Sequence, residues 1–268
     1  MALFSPLNPP LPAWNQARVW VIGASTGIGA ATAQALLAAG ARVALSARQE
    51  DKLREVAAAA VKRGADAARA RVVPLDFTDD AAVTAASARV FAAWGGCDLV
   101  LIVAGTHREV RAWELTADAA DALLKINLNA PIATTAAVLP ALLAQGHGAI
   151  GIVSSVAGYR GLPKALVYGA SKAALINFTE TLYLDLHPKG LGVYLINPGF
   201  VQTPLTDRNE FRMPALITAE EAAAAILAGL RRGSFEIHFP RRFTGTLKVL
   251  QLLPYRMYFA LVRRMTGL

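Results

Sequence analysis

The segment that most restricts the fold of this 268-residue chain lies between Val19 and Gly40. Val19-Trp20-Val21-Ile22 is a short apolar run that leads into Gly23-Ala24-Ser25-Thr26-Gly27-Ile28-Gly29, then into an alanine-rich stretch that stops at Gly40. Such an order reads as strand, tight loop and helix. The strand has no polar face, so both of its sides must be covered, as in a parallel strand inside a helix-flanked sheet.

The same alternation continues along the chain. Strands are predicted at 19–22, 42–46, 71–75, 98–103, 149–154, 192–197 and 235–239, and helices at 28–39, 50–63, 79–94, 117–144, 166–186 and 219–231. Gly40, Gly64, Gly95 and Gly146 stand where helices should end. The pattern predicts an α/β fold, a doubly wound, seven-stranded parallel sheet of the Rossmann kind with helices on both faces. A hydrophobic fraction of 54% and a mean hydropathy of +0.39 supply the apolar residues that such a core needs. One domain is expected over 17–240. A proline-rich arm (1–16, with Pro6, Pro9, Pro10 and Pro12) precedes it, and an extension (241–268) follows. The arm lacks the basic start and apolar run of a signal peptide, and no stretch of 18 uncharged apolar residues predicts a spanning helix. The lone Cys97 cannot form an internal disulfide, which suits a reducing cytosol, and is expected to be a packing residue. No Cys/His cluster has metal-ligand spacing.

In a doubly wound sheet ligands bind beyond the carboxyl ends of the strands. Gly23 follows the first predicted strand, Ala104 the fourth and Pro198 the sixth, and Ser155 ends the fifth, so four segments converge on one crevice. The glycine loop permits close approach of a pyrophosphate to the positive end of the following helix. Tyr168 and Lys172, four apart, share one helix face with side-chain bases about 5–6 Å apart. A neighbouring ammonium favours the phenolate, so the pair is a candidate proton donor to a carbonyl or acceptor from an alcohol. Either signal alone is weak, because glycine trios and Tyr–Lys pairs arise by chance. Together they point to one crevice.

At these residues the chain resembles the classical short-chain dehydrogenases/reductases, over about residues 17–237. Gly23, Ser25, Thr26, Gly27, Ile28 and Gly29 match the cofactor glycine motif, and Asp76 the acid set against the adenine. Asn127, Ser155, Tyr168 and Lys172 match the catalytic residues, and Asn197-Pro198-Gly199-Phe200-Val201-Gln202-Thr203 the segment beside the nicotinamide, with Pro198, Gly199, Val201 and Thr203 as contacts. Ala104-Gly105 keeps half of the family's Asn-Asn-Ala-Gly, with Ile102-Val103 replacing the two amides. The resemblance implies hydride transfer between a nicotinamide and a carbonyl or secondary alcohol. Tyr168 would move the proton, Ser155 would stabilise developing charge on oxygen, Lys172 would tune the phenol and hold the ribose, and Asn127 would help hold a relay water. After the second strand Ala47 stands where an NAD-preferring site has an acid, and Arg48 follows, which favours NADP(H) over NAD(H). Family analogy also implies a homodimer or homotetramer. Competing readings are an extended-type epimerase or dehydratase and a non-catalytic NADP(H)-binding scaffold or sensor. The expected cleft wall is 106–110, 160–163 and 200–216, with His107, Arg108, Arg160, Arg208 and Arg212 able to receive an anionic end of a small carbonyl or alcohol substrate, and the segment after Thr203 as a lid.

The formal net charge is +8, and from Arg231 onward eight basic residues face only Glu236. With Phe243, Leu247, Leu250, Tyr255, Tyr258 and Phe259 this reads as two short basic amphipathic helices divided at Pro254. Docking on protein, either the domain or a second subunit, is expected, in a cytoplasmic enzyme. Peripheral contact with an anionic membrane is the alternative. Nucleic acid is not expected, because no binding motif accompanies the charge.

Overall fold

The computed structural model describes residues 5–206 and 213–267. The expected cleft cations Arg208 and Arg212, and residues 207–212 of the expected lid, lie outside the described residues. Seven parallel strands form one sheet: β1 (Arg18–Ile22), β2 (Arg42–Ser46), β3 (Ala70–Val72), β4 (Leu99–Ile102), β5 (Ala149–Val153), β6 (Gly192–Pro198) and β7 (Glu236–Phe239), in the order β3-β2-β1-β4-β5-β6-β7. The order reverses between β1 and β4, which opens a crevice at their carboxyl ends. Ile22 lies level with Ser46 on one side and Ile102 on the other, so three of these ends share one edge.

The side-chain alternation of each strand feeds two cores. Val19, Val21, Leu99, Leu101, Tyr194 and Ile196 face α1 (Gly27–Ala38), α2 (Glu50–Lys62) and α7 (Ala219–Arg231). Trp20, Ile22, Val100, Ile102, Ile150 and Val193 face α3 (Asp80–Trp94), α5 (Ala130–Gln145) and α6 (Leu166–Leu186). This is the predicted three-layer, doubly wound architecture. Cys97 is fully buried, and burial pushes its thiol up to about 12, so it packs rather than reacts.

Three expectations need adjustment. The strand predicted at 71–75 ends at Val72, because Pro74 has no N–H to give the ladder; Val73 and Leu75 still bond to Leu45 O and Ala47 O, at 2.9 and 3.0 Å. The helix predicted at 117–144 is α4 (Ala117–Leu124) and α5 joined by one π turn, Lys125–Asn129. The whole run Ala117–Gln145 is long and apolar enough to cross a membrane by length and composition, contrary to the sequence expectation. Here Val138 and Leu142 are buried in the sheet core instead. The N-terminal arm is tied down: Asn8 Nδ2 donates to Val193 O and its Oδ1 accepts from Val193 N, both at 2.8 Å.

At the amino end of β4, Asp98 takes a two-pronged contact from Arg18, Nε to Oδ2 at 2.9 Å and Nη2 to Oδ1 at 2.7 Å, plus the Arg18 amide at 2.8 Å. The Asp98 side chain is 4% exposed, and these donors hold its carboxyl below the usual range despite the cost of burial. A depressed carboxylate adds stability above pH ~3.9 that is lost as pH falls through its lower folded value. Asp98→Ala leaves a half-buried guanidinium without its anion and should lower urea-unfolding stability by about 3 kcal/mol at neutral pH, with the deficit shrinking in acid. Activity per folded molecule should not change, because the pair lies at the opposite end of the strands from the crevice.

Candidate active site

The crevice begins at the turn after β1. Gly23 has φ +93°, and a Cβ there would lie 2.5 Å from Ala104 N; a Cβ on Gly29 would lie 2.1 Å from Gly23 O, and one on Gly27 (φ +54°) 2.8 Å from Thr203 Cγ2. Only glycines let these loops close together. Gly23 N and Ala24 N are spent on Ser46 O. Thr26, the N-cap of α1, makes no side-chain cap, so the first-turn amides of α1 around Ile28 stay available to an anion. Ser25 is half-buried beside them. The cradle therefore fits a dinucleotide pyrophosphate.

Farther along the edge, Arg48 is exposed and makes no hydrogen bond or ion pair among the described residues. The neighbouring acid Glu50 pairs with Arg54 instead. Asp76 Oδ1 accepts from Thr78 N at 3.0 Å and Thr78 Oγ1 at 2.8 Å; these bonds, with Arg48 and Lys125 adding positive charge, lower its pKa. Arg48 and Asp76 thus share one rim of the crevice.

The reacting end is built by α6 against the end of β5. Ser154 Oγ donates to Lys172 O at 2.7 Å, and Lys172 Nζ donates to Val153 O at 3.0 Å. A Cβ on Gly158 would lie 2.6 Å from Lys172 C. Ser155 does not end the strand, as expected, but lies two residues beyond it. There it caps the turn Val156–Gly158, its Oγ accepting from Ala157 N at 3.1 Å, and its hydroxyl reaches the Tyr168 phenol. Asn127 sits in the π turn, fully buried. Its Oδ1 accepts from Thr106 N and its Nδ2 donates to Thr106 O, both at 2.8 Å. The amide thus clamps the loop after β4. A Cβ on Gly105 would lie 3.4 Å from Asn127 Oδ1 and 3.6 Å from Lys172 Nζ. Ser155, Tyr168, Lys172, Asn127 and Gly105 are therefore gathered at one place.

The electrostatics differ from the sequence expectation. Lys172 Nζ is 5.8 Å from the Tyr168 ring centroid and is turned to the Val153 carbonyl. Burial raises the Tyr168 phenol above its ordinary value, opposed by the hydrogen bond from Ser155, and Lys172 does not pull it down. Burial also pushes the Lys172 ammonium down to about 8. His107 stands edge-on to Tyr168, with centroids 4.6 Å apart, and burial lowers its pKa, so it is neutral rather than a cleft cation. Arg160 is not a cleft cation either. It donates to Leu250 O, Gln251 O and Leu253 O at 3.0, 3.1 and 2.6 Å, capping the end of α8 (Arg241–Gln251), and lies over the rings of Tyr255 and Tyr258.

Pro198 ends β6, and Gly199 N bonds to Phe239 O at 2.7 Å. A Cβ on Gly199 would lie 3.1 Å from Phe243 Cδ1, so this segment backs onto α8. Val201 is buried and bridges Ile217 in parallel. Thr206 Oγ1 donates to Val201 O at 2.7 Å and accepts from Thr203 N at 3.0 Å, which fixes the start of the following loop.

A protein-family model described as short chain dehydrogenase matches residues 17–212. The chain belongs to the short-chain dehydrogenase family. Members of the family are oxidoreductases that bind a nicotinamide cofactor. An uncharacterized oxidoreductase of Myxococcus xanthus is 35% identical over 247 residues, covering 91% of this chain and 96% of the relative. A Sphingomonas 2-dehydro-3-deoxy-L-rhamnonate dehydrogenase (NAD(+)) is 35% identical over 217 residues, covering 77% and 84%. Among solved structures, a short-chain dehydrogenase from Sphingobium yanoikuyae in complex with NADPH superposes with TM-score 0.75 at 26% identity, covering 88% of this chain and 94% of that one. For this short-chain dehydrogenase the sequence missed one cluster. Glu236 Oε1 accepts from Tyr159 Oη at 2.5 Å and Asn197 Nδ2 at 2.9 Å, and Oε2 pairs with Lys248 Nζ. No local motif announces it, because its members come from four separate segments.

The Lys172 ammonium makes a pH-dependent prediction. Between about pH 8 and 10.4 the unfolded chain holds a proton that the folded chain has lost, so stability rises with pH across that window. Lys172→Met removes the effect. Its stability relative to wild type, read by urea unfolding, should improve by about 3 kcal/mol as the pH falls from 10.5 to below 8. A difference independent of pH would show that the ammonium is not desolvated.

Proposed function

We propose that this chain is an NADP(H)-dependent reductase of a carbonyl compound, or the reverse alcohol dehydrogenase, with Tyr168 as the acid–base group. The observation that carries the reading is the convergence of Ser155, Tyr168, Lys172 and Asn127 at the carboxyl edge of the sheet, next to a glycine cradle. Bound along that cradle, the nicotinamide supplies the hydride that reaches the carbonyl carbon. Tyr168 gives its phenolic proton to the carbonyl oxygen. Its raised pKa keeps that proton in place at neutral pH, the form reduction needs. Ser155 Oγ donates to the same oxygen as charge develops. Lys172, its ammonium pushed down to about 8 by burial, would hold the nicotinamide ribose and keep a replaceable proton at Nζ, with Asn127 beside it. Arg48, exposed and in no direct ion pair among the described residues, supports a 2′-phosphate contact.

Tyr168→Phe should lower turnover on carbonyl substrates by about 10²–10⁴-fold while NADPH, followed by fluorescence titration, still binds. Near-normal turnover in this folded variant would remove Tyr168 from the reaction. Arg48→Ala should weaken NADPH by on the order of 1–3 kcal/mol and leave NADH nearly unchanged. Equal effects on both would exclude the 2′-phosphate contact. A wild type that prefers NADH, in line with the NAD(+) in the name of the Sphingomonas relative, would reverse the cofactor reading.

A further inference from the structure

We propose that α8 and α9 (Tyr255–Thr266) form a docking face for the surface of an anionic lipid bilayer. The pair is anchored on one side only. Thr244 and Leu250 bury α8, Phe243 packs near Phe200, and Arg160 holds the junction. In α9 the only buried residue is Tyr258, whose Oη donates to Gly161 O at 2.6 Å. Leu247, Leu253, Leu261 and Val262 are half-buried, and much of the remaining apolar surface is open. Val249, Leu252, Tyr255, Met257, Phe259 and Met265 are 53–83% exposed, and they make up six of the fifteen exposed large hydrophobic residues described in the chain. So dense a group on two adjoining helices marks a contact surface.

The charge says what the surface meets. From residue 241 to 267 there are six basic residues and no acid. Lys248 is consumed by Glu236, but Arg241, Arg242, Arg256, Arg263 and Arg264 are exposed and make no ion pair among the described residues. The helix dipole accounts for Arg263 and Arg264 in the last turn of α9. It opposes Arg241 and Arg242, which begin α8, and Arg256, which begins α9. Cations at three positions that helix electrostatics disfavours favour an anion from outside.

The geometry suits a flat, half-apolar partner. On α9, Tyr255, Phe259 and Val262 fall on one stripe, and the rings of Tyr255 and Phe259 stack at 5.6 Å. Arg256 and Arg263, one heptad apart, run alongside it. Apolar stripe and basic flank are the two faces of an interfacial helix, which lies with its apolar side about 5–10 Å below the headgroups. At 11 and 12 residues neither helix can span a bilayer. A second copy of the chain would bring the same uncompensated cations against these. Nucleic acid would satisfy the arginines and leave the apolar stripe wet.

Cosedimentation of the full-length chain with vesicles of phosphatidylcholine, alone or mixed with phosphatidylglycerol, tests the proposal. Binding to the mixed vesicles should exceed binding to the neutral ones by at least about tenfold and fall as salt rises. Arg256→Glu with Arg263→Glu should weaken it on the order of 10–100-fold. Met257→Ser with Phe259→Ser, both on exposed side chains, should weaken it about tenfold. Unchanged melting temperature and turnover in both double variants would show that the fold is intact. Failure of the wild type to bind the mixed vesicles, equal binding to both vesicles, or no effect of charge reversal would overturn the proposal. So would loss on charge reversal alone, with the serine variant unaffected, which would indicate a polyanion such as nucleic acid. A serine variant that dissociates an oligomer while vesicle binding is unchanged would assign the face to a second copy.

Discussion

The site depends on how α6 is fastened to the end of β5. Tyr168 and Lys172 are on the helix, and Ser155 is on the loop that leaves the strand. Their relation is therefore fixed by whatever prevents helix and strand from sliding. Three contacts do this around one residue. Ser154 holds the Lys172 carbonyl, Lys172 Nζ holds the Val153 carbonyl, and Gly158 allows the loop to touch the helix backbone. One residue is thus bonded through both its backbone carbonyl and its ammonium to the end of β5 and the residue that follows it. A shift of one residue along α6 would break all three contacts together, and would turn the phenol by about 100° away from Ser155.

The same burial that holds the site sets its proton chemistry. Desolvation raises the Tyr168 phenol and lowers the Lys172 ammonium to about 8, so their ordinary order inverts and the phenol keeps its proton to higher pH than the lysine does. The lysine would lose its proton first. A phenolate, the form that takes a proton from an alcohol, needs positive charge beside its oxygen, whereas the Lys172 ammonium, 5.8 Å from the ring centroid, is turned to the Val153 carbonyl. Ser155 supplies only a hydrogen bond. In the proposed reaction these shifts suit Tyr168 to the role of proton donor.

How much of this the sequence discloses follows from the range of the interactions. The glycine turn is legible, because its backbone demands fall within seven consecutive residues. The Tyr–Lys pair is legible through helix periodicity, and the sheet through apolar runs between glycine stops. The π turn is not, since Asn127 differs from any helix-interrupting asparagine only by the Thr106 backbone it clamps. Asn8 stands 185 residues from the Val193 backbone it completes, and Arg160 reaches carbonyls some 90 residues away. Charge and size announce that such residues need partners, but only the fold chooses them. That is also why Arg160 reads as a cleft cation in sequence and proves to be a helix cap.

Glu236 shows that the C-terminal extension is part of the site's support. Its carboxylate is held below the ordinary range by the hydrogen bonds it accepts from Lys248, Tyr159 and Asn197, against the cost of burial. Tyr159 follows the Ser155 turn, Asn197 precedes Pro198-Gly199, and Lys248 belongs to α8. One half-buried anion therefore connects the loop of the proposed catalytic serine, the loop expected beside the nicotinamide, and the extension. Phe243 seals the same junction, close enough to Gly199 that any side chain there would meet its ring. The inner side of the extension is thus committed to the domain, while the outer side keeps its arginines and rings. A segment with one face in the site's foundation and the other bare and cationic can take a surface partner without dismantling the crevice, because the residues that would meet that partner are not those that hold Glu236.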